Sequence, residues 1–417
     1  MEVVIRKSEV CGCASPPPSK SYTHRAFIIS SLSRKSKLEN CLISDDTLAT
    51  LSACRKIGAE FVRRKEITFW GVDEIHASGY FYMANSGTTL RLFLGLLALS
   101  KSGKYSLLDG DESLRKRPNF QLVSALKSLG AEFRGYSDFK PPIWVKGLVK
   151  GGRVELEAPS SQFLSSLLIS LPLAKGDSEV RVYNLKSRPY VNITIDVLSM
   201  SGIKLSIENN SFYIKGGQRY NLRRFRVPAD FTSASYLIAA GLLAGKVIIK
   251  DVFESEQGDR KIIEICKEMG GSIRWNKEKG EIYVEMSELE GVEIDASDIP
   301  DLVPTIAILG AVAKGKTKIE NAEHLRIKEI DRLKGIYTNL KSLGVEVKQL
   351  EDGLVIYGGK KEFKGTVNSF GDHRMALAFS LLGLLGEVRI INAEVVSVSF
   401  PNYFDVLKSL GALIFQE

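Results

Sequence analysis

Residues 340–347, LKSLGVEV, carry the pattern on which the fold prediction rests. An amphipathic run ends at Gly344, and two valines in alternate positions follow it. Glycine accepts the left-handed conformation in which many helices end, so the pattern predicts a helix that closes at Gly344 and continues as a strand. The same pattern occurs five more times: LSACRKIGAEF at 51–61, SALKSLGAEF at 124–133, VLSMSGIKL at 197–205, ICKEMGGSI at 265–273 and VLKSLGALI at 406–414.

The six runs form an internal repeat, because their terminal glycines lie 67 to 74 residues apart. A second, far more apolar run begins 38 to 43 residues before each glycine. Apolar residues on all sides of a helix predict that it is buried. Short β-type runs such as KVIIKDV (246–252) separate the two helices. Each repeat therefore predicts the order strand, helix, strand, helix, strand, strand. The terminal glycines are Gly58, Gly130, Gly202, Gly270, Gly344 and Gly411.

Six such repeats account for the 417 residues of the chain. The pattern predicts an α/β fold in two domains of three repeats each, with a boundary near 226–228. A solenoid of six repeats is the structural alternative. Buried first helices favour the globular arrangement over the solenoid.

Composition restricts the class of protein. The chain is 44% apolar and 25% charged, and no stretch is apolar enough to span a bilayer. Five scattered cysteines are typical of a protein of the reducing cytoplasm. The net charge is +8, yet there is no run of five or six basic residues. This favours a small anionic ligand over nucleic acid or a membrane surface.

One motif is a coincidence. Residues 310–317, GAVAKGKT, fit the phosphate-binding loop pattern G-x-x-x-x-G-K-[ST]. That loop requires a strand before it and a helix after it. Here a predicted buried helix precedes the motif and a predicted strand follows, so we expect no nucleotide-hydrolysing site.

Cations are placed unusually, at the predicted starts of helices. Lys20 and Arg25 open one helix and His373 and Arg374 open another. A helix start already carries partial positive charge, which costs about 0.3–1 kcal/mol for each added cation. We expect Lys328 and Arg332 to add to this cost on one helical face, four residues apart. Bound anions would explain the arrangement.

The remaining residue types narrow the chemistry. Ser and Thr at the helix starts are often only N-caps. Four histidines without metal-site spacing predict no metal, and neither a nucleophile elbow nor a dinucleotide fingerprint is present. Carboxylates and lysines remain as candidate catalysts, which suits acid–base catalysis without a cofactor. These candidates are Asp301, Glu329, Asp331, Lys20 and Lys328.

Nine short motifs occur in series between Ser19 and Phe404. They are SKSYTHR (19–25), NSGTTLR (85–91), LDGDESLRKRP (108–118), SSQ (160–162), SRPY (187–190), IPD (299–301), RIKEIDR (326–332), DHRM (372–375) and FPNYF (400–404). Together, in this order, they resemble the EPSP synthase family, 3-phosphoshikimate 1-carboxyvinyltransferases.

The resemblance implies a two-domain inside-out α/β barrel of six βαβαββ repeats, with the active site in the cleft between the domains. The N-terminal strand returns to the second domain in this family. We therefore expect one domain at 13–227 and the other at 1–12 plus 228–417. A monomer in the cytoplasm is expected, acting in the shikimate pathway toward chorismate and the aromatic amino acids.

The resemblance also implies roles for single residues. Asp301 would take the proton of the substrate 5-hydroxyl, and Glu329, with Lys20, would move protons at C3 of phosphoenolpyruvate. The residues that would hold shikimate 3-phosphate are Lys20, Ser21, Arg25, Ser160, Ser161, Gln162, Ser187, Tyr190, Asp301 and Lys328. Those that would hold phosphoenolpyruvate are Lys20, Gly87, Arg117, Gln162, Arg332, His373 and Arg374, with Thr88 supporting the turn at Gly87.

Three positions depart from the family pattern: Val398 replaces a lysine, His324 an asparagine, and Ile330 a serine or threonine. Val398 puts affinity on the phosphoenolpyruvate side in doubt and leaves a non-catalytic anion-binding paralogue as an alternative. A UDP-N-acetylglucosamine enolpyruvyl transferase is the other alternative. It is disfavoured by Ser21, where that enzyme has asparagine, and by the lack of a cysteine in 110–118.

Overall fold

The computed structural model describes residues 1–416, and the chain forms two compact units. Unit I is Ser19–Val227, and unit II is Met1–Pro18 together with the chain from Pro228 onward. Strands β1 (Glu2–Arg6) and β2 (Val10–Ala14) belong to unit II. Residues 13 and 14, which the family resemblance placed in the first domain, lie in β2 and therefore in unit II.

Unit I contains three four-stranded sheets of one design. Across each sheet, the first pair of neighbouring strands is parallel, and the other two pairs of neighbours are antiparallel. The sheet orders are β14-β3-β5-β4, β6-β7-β9-β8 and β10-β11-β13-β12. The strands are β3 (Ser36–Glu39), β4 (Glu60–Arg63), β5 (Ile67–Trp70), β6 (Gly79–Tyr82), β7 (Ser106–Asp109), β8 (Glu132–Gly135), β9 (Ile143–Lys146), β10 (Gly152–Glu157), β11 (Ser178–Tyr183), β12 (Leu205–Glu208), β13 (Ser211–Ile214) and β14 (Arg224–Arg226).

The helices of unit I alternate between buried and amphipathic. The first helix of each repeat is buried along nearly its whole length, as the apolar sequence runs predicted, and the three form the core of the unit. The buried helices are α1 (Lys20–Ser31), α3 (Gly87–Leu97) and α5 (Ser161–Ser170), and the amphipathic ones are α2 (Asp45–Lys56), α4 (Phe120–Ser128) and α6 (Arg188–Met200).

Unit II repeats the design. Its sheet orders are β2-β15-β17-β16, β18-β19-β21-β20 and β22-β23-β1-β24. The strands are β15 (Gly245–Ile249), β16 (Ser272–Asn276), β17 (Glu281–Glu285), β18 (Glu293–Asp295), β19 (Lys316–Glu320), β20 (Glu346–Gln349), β21 (Leu354–Tyr357), β22 (Lys364–Asn368), β23 (Glu387–Ile391) and β24 (Leu413–Gln416). The helices are α7 (Phe231–Ala244), α8 (Ile262–Glu268), α9 (Val303–Val312), α10 (Arg332–Ser342), α11 (His373–Ser380) and α12 (Tyr403–Ser409).

The prediction of six α/β repeats is confirmed by these six sheets. All six terminal glycines have positive φ, between +74° and +109°. The helix-to-strand turns therefore use the backbone conformation that glycine adopts without steric cost. The stretch 310–317 joins α9 directly to β19, so it is a helix-to-strand turn as predicted. Within residues 1–416, no helix has the length and apolar character to cross a membrane.

Candidate active site

The start of α1 in unit I carries a buried ion pair. Lys20 is the first residue of the helix, and its Nζ lies 3.0 Å from Oδ2 of Asp46 in the first turn of α2. Their side chains are 16% and 11% exposed. Asp46 is not apparent as a site residue from the sequence, because an acidic residue in a first helical turn is expected from the helix dipole alone.

Arg25 lies one turn further along α1 and is buried. Its guanidinium donates to Thr194 Oγ1 at 2.6 Å, to the carbonyls of Ser21 and Tyr190 at 2.9 and 3.0 Å, and to Ser165 Oγ at 3.3 Å. Burial lowers the pKa of Arg25 to about 10. In residues 1–416 no carboxylate forms an ion pair with it, so the cation is solvated only by neutral oxygens.

The four predicted serines lie at three helix starts of unit I, and Ser21 is the second residue of α1. Ser160 caps α5 and accepts a hydrogen bond from the backbone N–H of Gln162, and Ser161 is buried as the first residue of that helix. Ser187 precedes α6 with φ of +58°. Tyr190 follows in the first turn of α6, where its carbonyl receives the bond from Arg25.

Arg117 precedes α4 and contacts the start of α3. It donates to the carbonyl of Asn85 at 3.2 Å, to the Asn85 side chain, and to Ser113 Oγ at 3.1 Å. Its Nε is buried and has no hydrogen-bond partner in residues 1–416. A Cβ at Gly87 would lie 3.1 Å from Arg117 Nη1, so glycine allows the backbone of α3 to approach the guanidinium.

Gln162 connects α5 to α3. Its amide nitrogen donates to Thr88 Oγ1 at 2.9 Å, and its oxygen accepts from Arg91 Nη1 at 2.7 Å. Arg91 also donates to Asn119 Oδ1 at 3.1 Å, and its guanidinium lies over the ring of Phe163. Thr88 is therefore held next to Gly87 by an amide from a different repeat.

In unit II, Arg332 is the centre of a carboxylate cluster. This buried arginine donates to Asp372 Oδ2 at 2.6 Å, to Glu329 Oε2 at 2.6 Å and to Asp301 Oδ1 at 2.7 Å. Burial alone would lower the pKa of Arg332, but the three carboxylates outweigh it and raise that pKa. The second oxygen of Asp301 accepts from Arg374 Nη2 at 2.7 Å.

One predicted relation in this cluster is wrong. Lys328 and Arg332 do not share a helical face, because Lys328 is extended and α10 begins at Arg332. Asp331 caps α10 by accepting from the backbone N–H of Lys334, and this cap fixes the helix start. Glu329 is thus in the segment before α10, from which it reaches Arg332.

At the start of α11, Asp372 is the N-cap and accepts from the backbone N–H of Arg374 at 2.9 Å. His373 is the first residue of α11 and is buried. The same short segment therefore places one carboxylate against Arg332 and one guanidinium against Asp301. Capping and ion pairing reinforce each other here.

Two further carboxylates of unit II, the half-buried Asp230 and the buried Asp259, were not predicted. Asp230 caps α7, and Asp259 accepts a hydrogen bond from the hydroxyl of Thr232. Burial raises the pKa of Asp230, and burial together with the charge of Asp301 raises the pKa of Asp259 to about 7. In the sequence, the only signal for these two carboxylates is that each follows a β-type run. Many helix-capping residues share that signal, so it does not single out a functional residue.

Six α/β repeats, with buried arginines, carboxylates and hydroxyls gathered at the helix starts of each unit, define a class of enzyme that binds anionic substrates. The chain matches the family of EPSP synthase (3-phosphoshikimate 1-carboxyvinyltransferase) over residues 5–407. The protein belongs to the EPSP synthase family, so the resemblance seen in the sequence is confirmed.

Individual relatives agree with this assignment. A 3-phosphoshikimate 1-carboxyvinyltransferase from Archaeoglobus fulgidus is 64% identical over 415 residues, covering 99% of both chains. The enzyme of that name from Methanocaldococcus jannaschii is 43% identical, again with 99% of both covered. The solved EPSP synthase from Acinetobacter baumannii is 27% identical with a TM-score of 0.83 over the full length of both. The enolpyruvyl transferase NikO from Streptomyces tendae shares the fold at 18% identity, with a TM-score of 0.79 over 99% of this chain and 98% of that one.

Proposed function

We propose that this protein transfers the enolpyruvyl group of phosphoenolpyruvate to the 5-hydroxyl of shikimate 3-phosphate and releases phosphate. Membership of the EPSP synthase family supports the reaction. The structural observation that supports this reaction is that Arg25 and Arg117 are buried without a carboxylate partner in residues 1–416. A buried cation is stable only when an opposite charge compensates it, and bound phosphate or carboxylate supplies that charge.

The groups of unit I serve binding. Arg25, Ser160, Ser161, Ser187 and Tyr190 hold shikimate 3-phosphate, together with Ser21, Gln162 and Lys20. Lys20, Gly87, Arg117 and Gln162 bind phosphoenolpyruvate. Arg117 Nε has no hydrogen-bond partner in residues 1–416 and is left as a donor for an anion. From unit II, Lys328, Asp301, Arg332, His373 and Arg374 complete the two binding sets in this proposal.

The carboxylates of unit II serve proton transfer. Asp301 takes the proton of the 5-hydroxyl, whose oxygen adds to C2 of phosphoenolpyruvate while C3 gains a proton. The tetrahedral intermediate then loses a C3 proton and phosphate. Glu329 exchanges the C3 protons with help from Lys20. Arg332 orients both carboxylates, since it bonds to Asp301 and Glu329 through different nitrogens.

The assembly and location remain part of the proposal. We propose a monomer in the cytoplasm whose partners are these two small substrates, acting without a metal or other cofactor. Five free thiols are compatible with a reducing compartment.

The test is phosphate release by the purified protein. Release is expected only when shikimate 3-phosphate and phosphoenolpyruvate are both present. Release with UDP-N-acetylglucosamine in place of shikimate 3-phosphate would support that transferase instead. Binding of both ligands without release would support a non-catalytic paralogue.

A variant pair sharpens the assignment. Arg117→Ala removes a buried charge from the phosphoenolpyruvate set, and KM for phosphoenolpyruvate should rise about ten- to a hundredfold, the loss of one charged hydrogen-bonding group. Arg115→Ala is the matched control, because Arg115 is half exposed and pairs with Asp109. Equal KM values in the two variants would remove Arg117 from the site.

A further inference from the structure

A chain of buried polar side chains joins three helices of unit I just below their first residues. His24 Nδ1 in α1 lies 2.7 Å from Thr50 Oγ1 in α2. Thr50 Oγ1 lies 2.7 Å from Thr89 Oγ1 in α3, and Thr89 Oγ1 lies 2.6 Å from Oγ of Ser86, the N-cap of α3. All four side chains are at most 1% exposed.

The first hydrogen bond of this chain has a defined direction. His24 Nε2 is buried and has no partner in residues 1–416. An unpaired N–H costs more in that position than an unpaired lone pair, which assigns the proton to Nδ1. His24 therefore donates to Thr50. In the Thr50–Thr89 and Thr89–Ser86 pairs either hydroxyl can be the donor, and Ser86 Oγ also accepts from the backbone N–H of Thr89 at 3.1 Å.

The imidazole stays neutral in this position. Burial lowers the pKa of His24 to about 3, Asp46 opposes the shift, and Lys20 and Arg25 add to it. Protonation of the ring does not interrupt the chain under working conditions. The chain is a fixed structural connection rather than a pH switch.

The chain lies directly beneath groups that the proposed function uses. His24 is one helical turn after Lys20, Thr50 is one turn after Asp46, and Thr89 is two residues after Gly87. Both Thr50 and Thr89 also lie 3.4 Å from the carbonyl of Asp46. The distance between Lys20 and Asp46 depends on the spacing of α1 and α2, and this chain bridges those two helices.

We propose that His24, Thr50 and Thr89 are positioning residues that hold Lys20 and the Gly87 backbone in place for phosphoenolpyruvate, an inference that rests on the proposed function. None of the three contacts the substrates in this proposal. They act through the relative placement of the starts of α1, α2 and α3. The Arg25 guanidinium is fixed separately by its bonds to Thr194, Ser165 and Tyr190. A loss of the chain therefore weakens phosphoenolpyruvate binding more than shikimate 3-phosphate binding.

Thr50→Val tests this, because valine keeps the shape of threonine and removes both hydrogen bonds to its neighbours. KM for phosphoenolpyruvate should rise about threefold to tenfold, as expected for the loss of a buried hydrogen bond, while KM for shikimate 3-phosphate rises less. Thr50→Ser should restore the wild-type values. Ser30→Ala is the matched control in α1, since Ser30 is buried and its Oγ has no partner in residues 1–416.

The outcomes separate the two proposals. No turnover by the wild-type protein with the substrate pair overturns the proposed function and this inference with it. Wild-type turnover with an unchanged KM for phosphoenolpyruvate in Thr50→Val, or with equal rises in both KM values, overturns the inference alone. If Thr50→Val does not fold, His24→Asn and His24→Leu make the comparison, because only the asparagine amide replaces Nδ1. A rise in KM for phosphoenolpyruvate in His24→Leu but not in His24→Asn supports the inference. Equal KM values for phosphoenolpyruvate in the two variants overturn it.

Discussion

At the scale of single residues, Arg332 shows how one side chain organises an acid–base site. Its three nitrogens each bond to a different carboxylate, and two of these, Asp301 and Glu329, are the proposed proton-transfer groups. Charge-assisted bonds of this length fix the direction of each carboxylate. Asp301 is held from its other side by Arg374. The proposed base is therefore oriented before substrate arrives.

Asp301→Asn should reduce kcat about 10²- to 10⁴-fold, because an amide accepts no proton from the substrate hydroxyl. The amide oxygen still accepts from one of the two arginines, so the fold should persist. Phosphate-release kinetics and circular dichroism measure the two effects. Asp405→Asn, an exposed carboxylate of α12, is the control and should retain full activity. Near-normal kcat in Asp301→Asn would assign the base to another group.

Asp259 predicts a pH dependence of stability. Its pKa is about 7 in the folded protein against 3.8 for an unperturbed carboxyl, so the folded state binds the extra proton between these values. The contribution of Asp259 to the free energy of unfolding is then fully present below about pH 4. It is lost as the pH rises to about 7, which lowers the free energy of unfolding by on the order of 2 to 4 kcal/mol. Asp259→Asn should flatten this part of the profile, measured as the urea midpoint at pH 5 and pH 8. Equal slopes in both proteins would show that Asp259 ionises normally.

At the scale of helices and strands, the sequence predicted the starts of α1, α3, α5 and α11 well, because caps and apolar runs are local signals. The sequence wrongly predicted that Lys328 lies inside α10. A helix start before Lys328 is as compatible with the local sequence as the observed start at Arg332, which the Asp331 cap fixes. The sequence missed Asp46, Asp230 and Asp259, since their roles depend on partners far away in the chain. Tertiary contacts of this kind leave no local pattern.

The terminal glycines give a prediction for this scale. Gly202 has φ of +82°, and a Cβ there would meet no atom within 4 Å. Gly202→Ala should therefore destabilise unit I through backbone strain alone, by about 1 to 2 kcal/mol. Gly202→Asn should destabilise unit I less than Gly202→Ala does, because asparagine tolerates the left-handed region of backbone conformation. Denaturant midpoints measure both, and an alanine variant as stable as wild type would show that the turn relaxes at no cost.

At the scale of the whole molecule, the repeat was predictable because its glycines recur in the sequence, whereas the exchange of strands between repeats was not. In unit I, β14 from the end of the unit completes the sheet of its first repeat. In unit II, β1 lies between β23 and β24 and completes the sheet of the last repeat. Pairings between the ends of a chain follow from tertiary packing, and only the family resemblance indicated the return of the N-terminus.

Deletion of residues 1–6 should therefore destabilise unit II specifically. It removes the strand that pairs with β23 on one side and β24 on the other, and it uncovers the core around the fully buried Val3 and Ile5. Limited proteolysis should cleave first between 228 and 416, while fragments within 19–227 persist, because each unit has its own hydrophobic core. Arg6→Ala is the control, since its pair with Glu387 is exposed and contributes little. Simultaneous cleavage of both units in the deletion variant would mean that they unfold as one cooperative body.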